Sequence, residues 1–336
     1  MNSISRRQLL AGSAAAAALG ALGLAGCGGS DSGSSSGGSG GSASLGVAYQ
    51  YGLSYAPVVI AKEQGLIEAA YKEASGGELS IEWNQMSSGS DINTGISSGS
   101  IQVGFMGLGP AITGIATGLD YRVFSNISGQ EHGLMSNDPE VKDLEDLIGS
   151  SKQIALVNIG SFQHIVLAKA LDNAGLDPHA LDSNIVAMAH PDGMAALQSG
   201  NVACHLTSSP YIFTERADSS FHELTEVNDA WGPEDSFIVG VASSTLHDDE
   251  DLYNAVCTGI ERAMEFITDS AEDAAAILCE FDGNTAEEEL EYLEKGVYTP
   301  QTSKLFEMAS FMSEAKFLDK AIASYDDLVY SNVTGD

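Results

Sequence analysis

Aromatic and acidic side chains cluster where apolar, strand-like segments end, and such residues can hold a small solute. Aromatic rings stack on flat or cationic groups, and carboxylates accept hydrogen bonds from amines. The residues of this kind that we expect around one cleft are Tyr49, Tyr51, Tyr55, Phe162 and Tyr211, with Asp91 and Asp192 at its edge. This set suits a flat heterocycle or an amine-bearing solute at least as well as a small inorganic anion.

Histidine and cysteine side chains are the other candidates for chemistry. The histidines that could be grouped come from separate segments without helical spacing: His132, His164, His190 and His205. We therefore predict no metal site. No Cys-x-x-Cys or His-Glu-x-x-His motif occurs, so zinc and redox chemistry have no support in the sequence. Beyond Cys27 and Cys204, the pair Cys257 and Cys279 could form a disulfide between two helices, but free thiols are favoured.

The elements that must position these residues repeat along the chain. Residues 91–101 and 192–202 each read as a short helix capped by Asp, ended by Gly and followed by an apolar strand. Residues 47–62 and 154–169 match as strand, turn and helix. Strands that alternate with helices predict parallel βαβ units. We expect an α/β protein of two similar lobes with a central cleft.

The cleft should lie at the carboxyl ends of the strands, where helix N-termini point unpaired N–H groups outward. One of its turns begins at Met106, which we include among the candidate ligand contacts. The turns predicted to line the cleft are 49–55, 87–91, 106–111, 160–163, 188–192 and 207–211. None of them contains Lys or Arg, so an anion would depend on helix N-termini and hydroxyls.

The N-terminus has the pattern of an export signal. Arg6 and Arg7 form a twin-arginine box, followed by a weakly apolar stretch. Residues 24–27 resemble the lipobox of bacterial and archaeal lipoproteins, in which the cysteine carries a diacylglycerol. We predict a signal at 1–26, a lipidated Cys27 within a Gly/Ser tether at 27–44, and anchoring to the outer face of the cytoplasmic membrane.

Composition excludes two classes of protein. The chain has 336 residues with 47 acidic and 14 basic side chains, a formal net charge of −33. A hydrophobic fraction of 43% excludes a disordered acidic chain. The scarcity of Lys and Arg argues against nucleic acid and against anionic lipid headgroups as partners.

Lobe boundaries follow from the repeat and from the remaining apolar pattern. We assign 45–128 together with 236–336 to lobe 1, and 129–235 to lobe 2, with 236–242 as a strand that returns to lobe 1. Helices are expected at 251–266 and 271–280, after a capping box at Thr285, and near 319–329.

Five segments carry a resemblance to a known family: VVIAKEQGL at 58–66, ISSGSIQVG at 96–104, GLGP at 107–110, Gly160-Ser161 with His164, and LQSGNVA at 197–203. The chain from 45 to about 217 resembles the nitrate/sulfonate/taurine type of solute-binding protein of ABC importers, a family that includes binders of thiamine-precursor pyrimidines. The resemblance implies a type II periplasmic-binding fold with a hinge. It also implies a permease and an ATPase as partners, a monomer, no cofactor and no catalysis.

The resemblance also implies site residues that hold a solute through hydroxyls and backbone N–H groups. Carried onto this chain, these are Ser54, Ser88, Ser90, Gly109, Ser161, Phe162 and Ser208. The ligand stays open between a sulfonate, taurine or nitrate and a pyrimidine-type heterocycle. An extracellular sensor is an alternative role. A pyrimidine-synthesising enzyme is a weaker alternative, because such enzymes use an iron-associated, Cys-rich segment that this sequence lacks.

Overall fold

Two five-stranded mixed sheets form the centre of the molecule. The structure, a computed structural model, describes residues 42–228, 230–231 and 238–336. Its strands are β1 (Ser42–Tyr49), β2 (Glu78–Gln85), β3 (Val103–Gly107), β4 (Tyr121–Ser128), β5 (His132–Ser136), β6 (Ile154–Leu156), β7 (Ile185–Ala187), β8 (Cys204–Ser208), β9 (His222–Leu224) and β10 (Ile238–Ser243).

Helices flank both sheets. They are α1 (Ala56–Gln64), α2 (Leu66–Ser75), α3 (Gly89–Ser97), α4 (Leu108–Thr117), α5 (Phe162–Asn173), α6 (His190–Gln198), α7 (Tyr211–Ala217), α8 (Ser244–His247), α9 (Glu250–Asp269), α10 (Ala271–Asp282), α11 (Ala286–Leu293) and α12 (Leu305–Glu314). The predicted signal (1–26) and residues 27–41 lie outside the described part of the chain. The strand β1 includes residues 42–44, which the sequence assigns to the tether.

The two sheets have the same topology. Their strand orders are β2-β1-β3-β10-β4 and β7-β6-β8-β5-β9. In each sheet the fourth strand, β10 or β5, runs antiparallel to both neighbours. These two strands are where the chain enters a sheet after leaving the other one. The predicted pair of similar α/β lobes is therefore confirmed.

The repeated helix–strand units are present, but their predicted caps are wrong. Ser88 caps α3, because its Oγ accepts a hydrogen bond from the Asp91 N–H at 3.2 Å. Asp91 lies in the first turn, where its carboxylate accepts from Ser88 Oγ at 2.8 Å. Ala189 precedes α6 without a side-chain cap, and Asp192 lies inside the helix. A carboxylate in a first turn still favours the helix through the macrodipole.

Apolar strands buried on both faces form the core. Every residue of β3, β6 and β8 is buried, as expected for sheets covered by helices on both sides. Phe105, which the sequence favours as core, packs edge-on against Phe124 at 5.9 Å between ring centroids.

The C-terminal segment differs most from expectation. Helices α9 and α10 and the capping box at Thr285 are confirmed. The predicted helix near 319–329 is wrong, since that stretch contains only a short 3₁₀ turn at Tyr325–Asp327, while α12 was not predicted. Tyr292 stacks on Phe213 of α7 at 4.8 Å, so part of the segment assigned to lobe 1 packs against lobe 2.

Candidate functional site

A small cavity lies between the lobes at the carboxyl ends of their parallel strands. Its volume is about 30 Å³, which is room for about one water molecule. The lining residues are Gln50, Tyr51, Ser54, Tyr55, Gly89, Gly107, Pro110, Val157, Asn158, Ser161, Phe162, Gln163, His190, Ser208 and Ile238. The lobes are therefore closed on each other, and a larger solute requires them to separate.

Four helices begin at this cavity. Gly89 starts α3, Gly107 is the N-cap of α4, Ser161 is the N-cap of α5, and His190 starts α6. Each N-terminus carries a partial positive charge and unpaired N–H groups, which together favour an anion. The lining, within the described chain, contains no Lys, Arg, Asp or Glu.

Polar atoms without partners face this space. Ser54 Oγ and Asn158 Oδ1 are buried and have no hydrogen-bond partner among the described residues, and both residues line the cavity. Tyr55 donates its hydroxyl to Gln50 Oε1 at 2.8 Å, which fixes the Gln50 amide. Buried polar atoms normally have partners, so Ser54 and Asn158 are suited to contact a solute.

A chain of buried side chains leads away from the cavity. Gln163 Nε2 lies 3.1 Å from His190 Nε2, and His190 Nδ1 lies 3.4 Å from His205 Nε2. His205 Nδ1 lies 2.6 Å from Glu215 Oε1. Burial lowers the pKa of both histidines to about 3 and raises the pKa of Glu215 to about 8. All three groups are therefore uncharged at neutral pH.

His164 holds the turn that precedes α5. Its Nδ1 accepts a hydrogen bond from the Gly160 N–H at 2.9 Å, and its Nε2 pairs with Asp182 Oδ1 at 2.9 Å. An acceptor at Nδ1 places the ring proton on Nε2. Burial lowers the pKa of His164, which keeps this acceptor available. His164 is thus a positioning residue for Gly160 and Ser161.

Two contacts join the lobes across the cleft. A Cβ added at Gly109 would lie 2.7 Å from the Gly160 carbonyl oxygen, so only glycine permits this approach. Asn158 Nδ2 donates to Ser90 Oγ at 2.9 Å. Gly109 and Ser90 belong to helices on the first sheet, whereas Asn158 and Gly160 follow β6 of the second.

The structure brings together six of the predicted site residues as cavity lining: Tyr51, Ser54, Tyr55, Ser161, Phe162 and Ser208. The other predicted residues are not among the lining. Tyr49 and Met106 are buried in the core, Ser88 pairs with Asp91, Asp192 is exposed, and Tyr211 stacks on His190 at 5.7 Å. Their contact with a solute stays a prediction, as does that of the six.

Sequence reasoning missed the amide and imidazole contributors Gln50, Gln163 and His190. His190 lies in the predicted cleft turn 188–192, which is the signal that could have placed it in the site. Gln50 and Gln163 carry the same signal, because they lie in the predicted cleft turns 49–55 and 160–163.

Metal ligands, thiols and membrane-spanning helices are the remaining features that bear on function in the described residues. They contain no group of three or more His, Cys, Asp or Glu side chains arranged to hold a metal ion. Cys204, Cys257 and Cys279 are free thiols. None of the described helices is both long enough and apolar enough to cross a membrane.

Two α/β lobes of equal topology, joined by two crossovers around a cavity at their strand ends, define a periplasmic-binding fold. The chain belongs to the NMT1-like family, whose model matches residues 38–281. A search of curated proteins finds no match.

Solved structures with this fold include two sulfonate-binding proteins and a nitrate-binding protein. The alkanesulfonate-binding protein SsuA from Xanthomonas axonopodis pv. citri, bound to MOPS, has a TM-score of 0.69 at 18% identity, covering 87% of this chain and 98% of that one. The aliphatic sulphonate-binding SsuA from Escherichia coli has a TM-score of 0.63 at 21% identity, covering 87% and 93%. The nitrate-binding NrtA from Synechocystis PCC 6803 has a TM-score of 0.59 at 13% identity, covering 73% and 68%.

Proposed function

We propose that this protein is a solute receptor of an ABC importer that closes its two lobes on a small oxyanion, of the sulfonate, taurine or nitrate class. The observation that carries the proposal is the convergence of four helix N-termini on a cavity lined by uncharged side chains. The family and the similar sulfonate- and nitrate-binding structures support it.

The uncharged lining bears on the choice between anion and heterocycle. N–H groups and the hydroxyls of Ser54, Ser161 and Ser208 can donate hydrogen bonds to oxyanion oxygens. A pyrimidine needs a flat slot between rings. The rings of Tyr51 and Phe162 border the cavity, so an aminopyrimidine is included among the test solutes.

Thermal denaturation tests the solute class. Ligand-free protein is melted with ethanesulfonate, taurine, nitrate or an aminopyrimidine, with ionic strength equalised by chloride. At 100 times the dissociation constant, binding adds about 2.7 kcal/mol of stability, which raises the melting temperature by about 4 °C. We expect this rise with at least one anion. A rise with the pyrimidine alone, or with no solute, contradicts the proposal.

Export, anchoring and partners complete the proposed role. A lipid on Cys27 would hold the receptor at the outer membrane face, and a permease with its ATPase would take the solute. Replacing Cys27 by Ser should release the protein from the membrane fraction. In proteoliposomes with the importer, ATP hydrolysis should rise when receptor and solute are both present; no rise would favour the sensor alternative.

Chemical analysis of the solute after incubation with the protein distinguishes a receptor from an enzyme. A receptor releases the solute unchanged.

A further inference from the structure

Behind the cavity, Gln163, His190, His205 and Glu215 form a row of buried, hydrogen-bonded side chains, which we call the relay. The relay ends at the Glu215 carboxyl group. Glu215 and His205 have fully buried side chains, and Glu215 Oε2 lacks a hydrogen-bond partner among the described residues. His190 links this pair to the cavity, where its Nε2 lies 3.4 Å from Ser208 Oγ as well as close to Gln163. Each neutral imidazole has one N–H and one unprotonated nitrogen, so it donates on one side and accepts on the other. The hydrogen bonds of His190 and His205 must therefore all run toward Glu215 or all run away from it.

With Glu215 ionised, every hydrogen bond points toward the carboxylate. His205 donates its Nδ1–H to Glu215 Oε1, and His190 donates its Nδ1–H to His205 Nε2. His190 Nε2 then presents a lone pair to the cavity and accepts from the Gln163 amide N–H. A lone pair at this position repels an anionic oxygen.

With Glu215 protonated, every hydrogen bond is reversed. Glu215 donates its O–H to His205 Nδ1, and His205 donates Nε2–H to His190 Nδ1. His190 Nε2–H then points to the cavity, where Ser208 Oγ at 3.4 Å can accept it. The Gln163 amide must turn its oxygen toward His190 in this state, because two N–H groups cannot donate to each other across 3.1 Å. One proton has been added in total: it binds His190 Nε2 from the cavity side, while the Nδ1 protons of His190 and His205 each move one step toward Glu215. No charge remains in the chain.

We propose that Glu215, acting through His205, sets whether His190 donates or accepts a hydrogen bond in the solute site, and that an anionic solute binds the state in which Glu215 is protonated. This inference rests on the proposed function and adds a proton dependence to solute binding at the same site.

Surroundings favour the protonated state at neutral pH. Burial raises the pKa of Glu215 to about 8. The neighbouring Arg216 forms ion pairs with Glu131 and Glu223 and not with Glu215. Titratable residues on the elements that pack against α7 are His132 on β5, Cys204 and His205 on β8, His190 and Asp192 on α6, and Tyr292 and Lys295, which contact Phe213. Of these, His205 is the one hydrogen-bonded to Glu215 in the described chain.

Side-chain ¹⁵N NMR of solute-free protein tests the relay directly. Between pH 6 and pH 10 we expect the ring nitrogens of His190 and His205 to exchange protonated and unprotonated shifts with one common midpoint. Glu215→Gln should abolish this titration, and Glu145→Gln, a change at an exposed acid of the same lobe, should preserve it. Histidine shifts that stay constant over this range, or that titrate unchanged in Glu215→Gln, overturn the relay.

A second variant interrupts the relay at His205 and leaves Glu215 unchanged. A Cβ at Gly193 would lie 2.5 Å from His205 Nε2, so Gly193→Ala must displace that ring. We expect His190 in this variant to lose the titration while Glu215 keeps its own. Retention of the common midpoint contradicts the proposed path.

Calorimetric titration with ethanesulfonate tests whether anion binding depends on the proton of Glu215. If binding requires one proton on Glu215, affinity falls about tenfold between pH 7 and pH 9; Glu145→Gln should behave likewise, and Glu215→Gln should change less than about twofold. Binding without this pH dependence overturns the inference and leaves the proposed function intact. A working NMR relay in a protein that binds no anion at either pH refutes the proposed function instead.

Discussion

Ser54 has a buried hydroxyl without a partner in the described chain, and it faces the cavity. A hydrogen bond to an ionic oxygen contributes about 1.5 kcal/mol or more. Ser54→Ala should therefore weaken anion binding about tenfold. The melting temperature of solute-free protein should change by less than about 2 °C, because no hydrogen bond is lost. Titration calorimetry and thermal melts measure the two effects.

Ser136 is a matched control at a buried position of the second sheet. Its hydroxyl donates to the Ala203 carbonyl at 3.0 Å and accepts from the Asp138 N–H at 3.1 Å, away from the cavity. Because two hydrogen bonds are lost, Ser136→Ala should lower stability by about 2 kcal/mol and leave affinity unchanged. Equal affinities for wild type and Ser54→Ala would remove Ser54 from the site.

Buried histidines make the protein sensitive to acid. Burial lowers the pKa of His190 and His205 to about 3 and that of His132 to about 4. Below their unfolded pKa of about 6.5, the unfolded state binds more protons than the folded state. The contribution of these histidines to the free energy of unfolding is therefore fully present above that pH. It falls as the pH drops, by up to about 1.4 kcal/mol per pH unit for each group.

Glu215 acts in the opposite direction. Because its folded pKa is raised, stability falls as the pH rises from about 4.5 to 8. Melting temperatures should peak near pH 7, where the two effects balance, and Glu215→Gln should remove the alkaline decline. A melting temperature that is constant between pH 5 and pH 7 would contradict the neutral burial of the histidines.

The place of the candidate site was predictable from sequence, because the carboxyl ends of parallel strands converge. The family resemblance then supplied Ser54, Ser161 and Ser208, which line the cavity. The relay from His190 to Glu215 was not predictable, because its members come from α6, β8 and α7 and meet only through packing. A Glu within a helix normally predicts a solvated face.

Helix α4 reaches the opposite lobe at Gly109, and this contact sets how closely the lobes approach. An alanine there would meet the Gly160 carbonyl at 2.7 Å. Gly109→Ala should hold the lobes apart and weaken solute binding by tenfold or more. Small-angle scattering with saturating solute should show a larger radius of gyration than for wild type.

Thr117→Ala controls for changes to the same helix, since Thr117 is exposed near its end. It should bind and close like wild type. Full closure and normal affinity in Gly109→Ala would show that the contact does not limit the closed state.

At the level of elements, the internal repeat predicted the paired lobes, whereas the C-terminus was predictable only in part. The stretch near 319–329 has helical periodicity, but the backbone at its end is hydrogen-bonded to strand β4. Val123 donates its N–H to the Leu328 carbonyl at 2.9 Å, and Tyr330 donates to the Val123 carbonyl at 2.9 Å. These long-range bonds to the edge of β4 override the local pattern, because helix propensity is a weak preference.

The net charge of the whole molecule governs how fast a solute arrives. A charge of −33 repels anions, and raising salt from 0.01 to 0.15 M shortens the Debye length from about 30 to 8 Å. The association rate of an anion should therefore rise severalfold with salt in stopped-flow measurements. A rate that falls with salt would indicate a cationic solute.

We propose that the two lobes capture an oxyanion between them. Titration calorimetry of ligand-free protein with ethanesulfonate, taurine and nitrate at pH 7 tests it most directly. We predict saturable binding of one anion per chain for at least one of them, weakened by both Ser54→Ala and Gly109→Ala. Absence of binding by all three at millimolar concentration, or binding that both substitutions leave unchanged, would contradict the account.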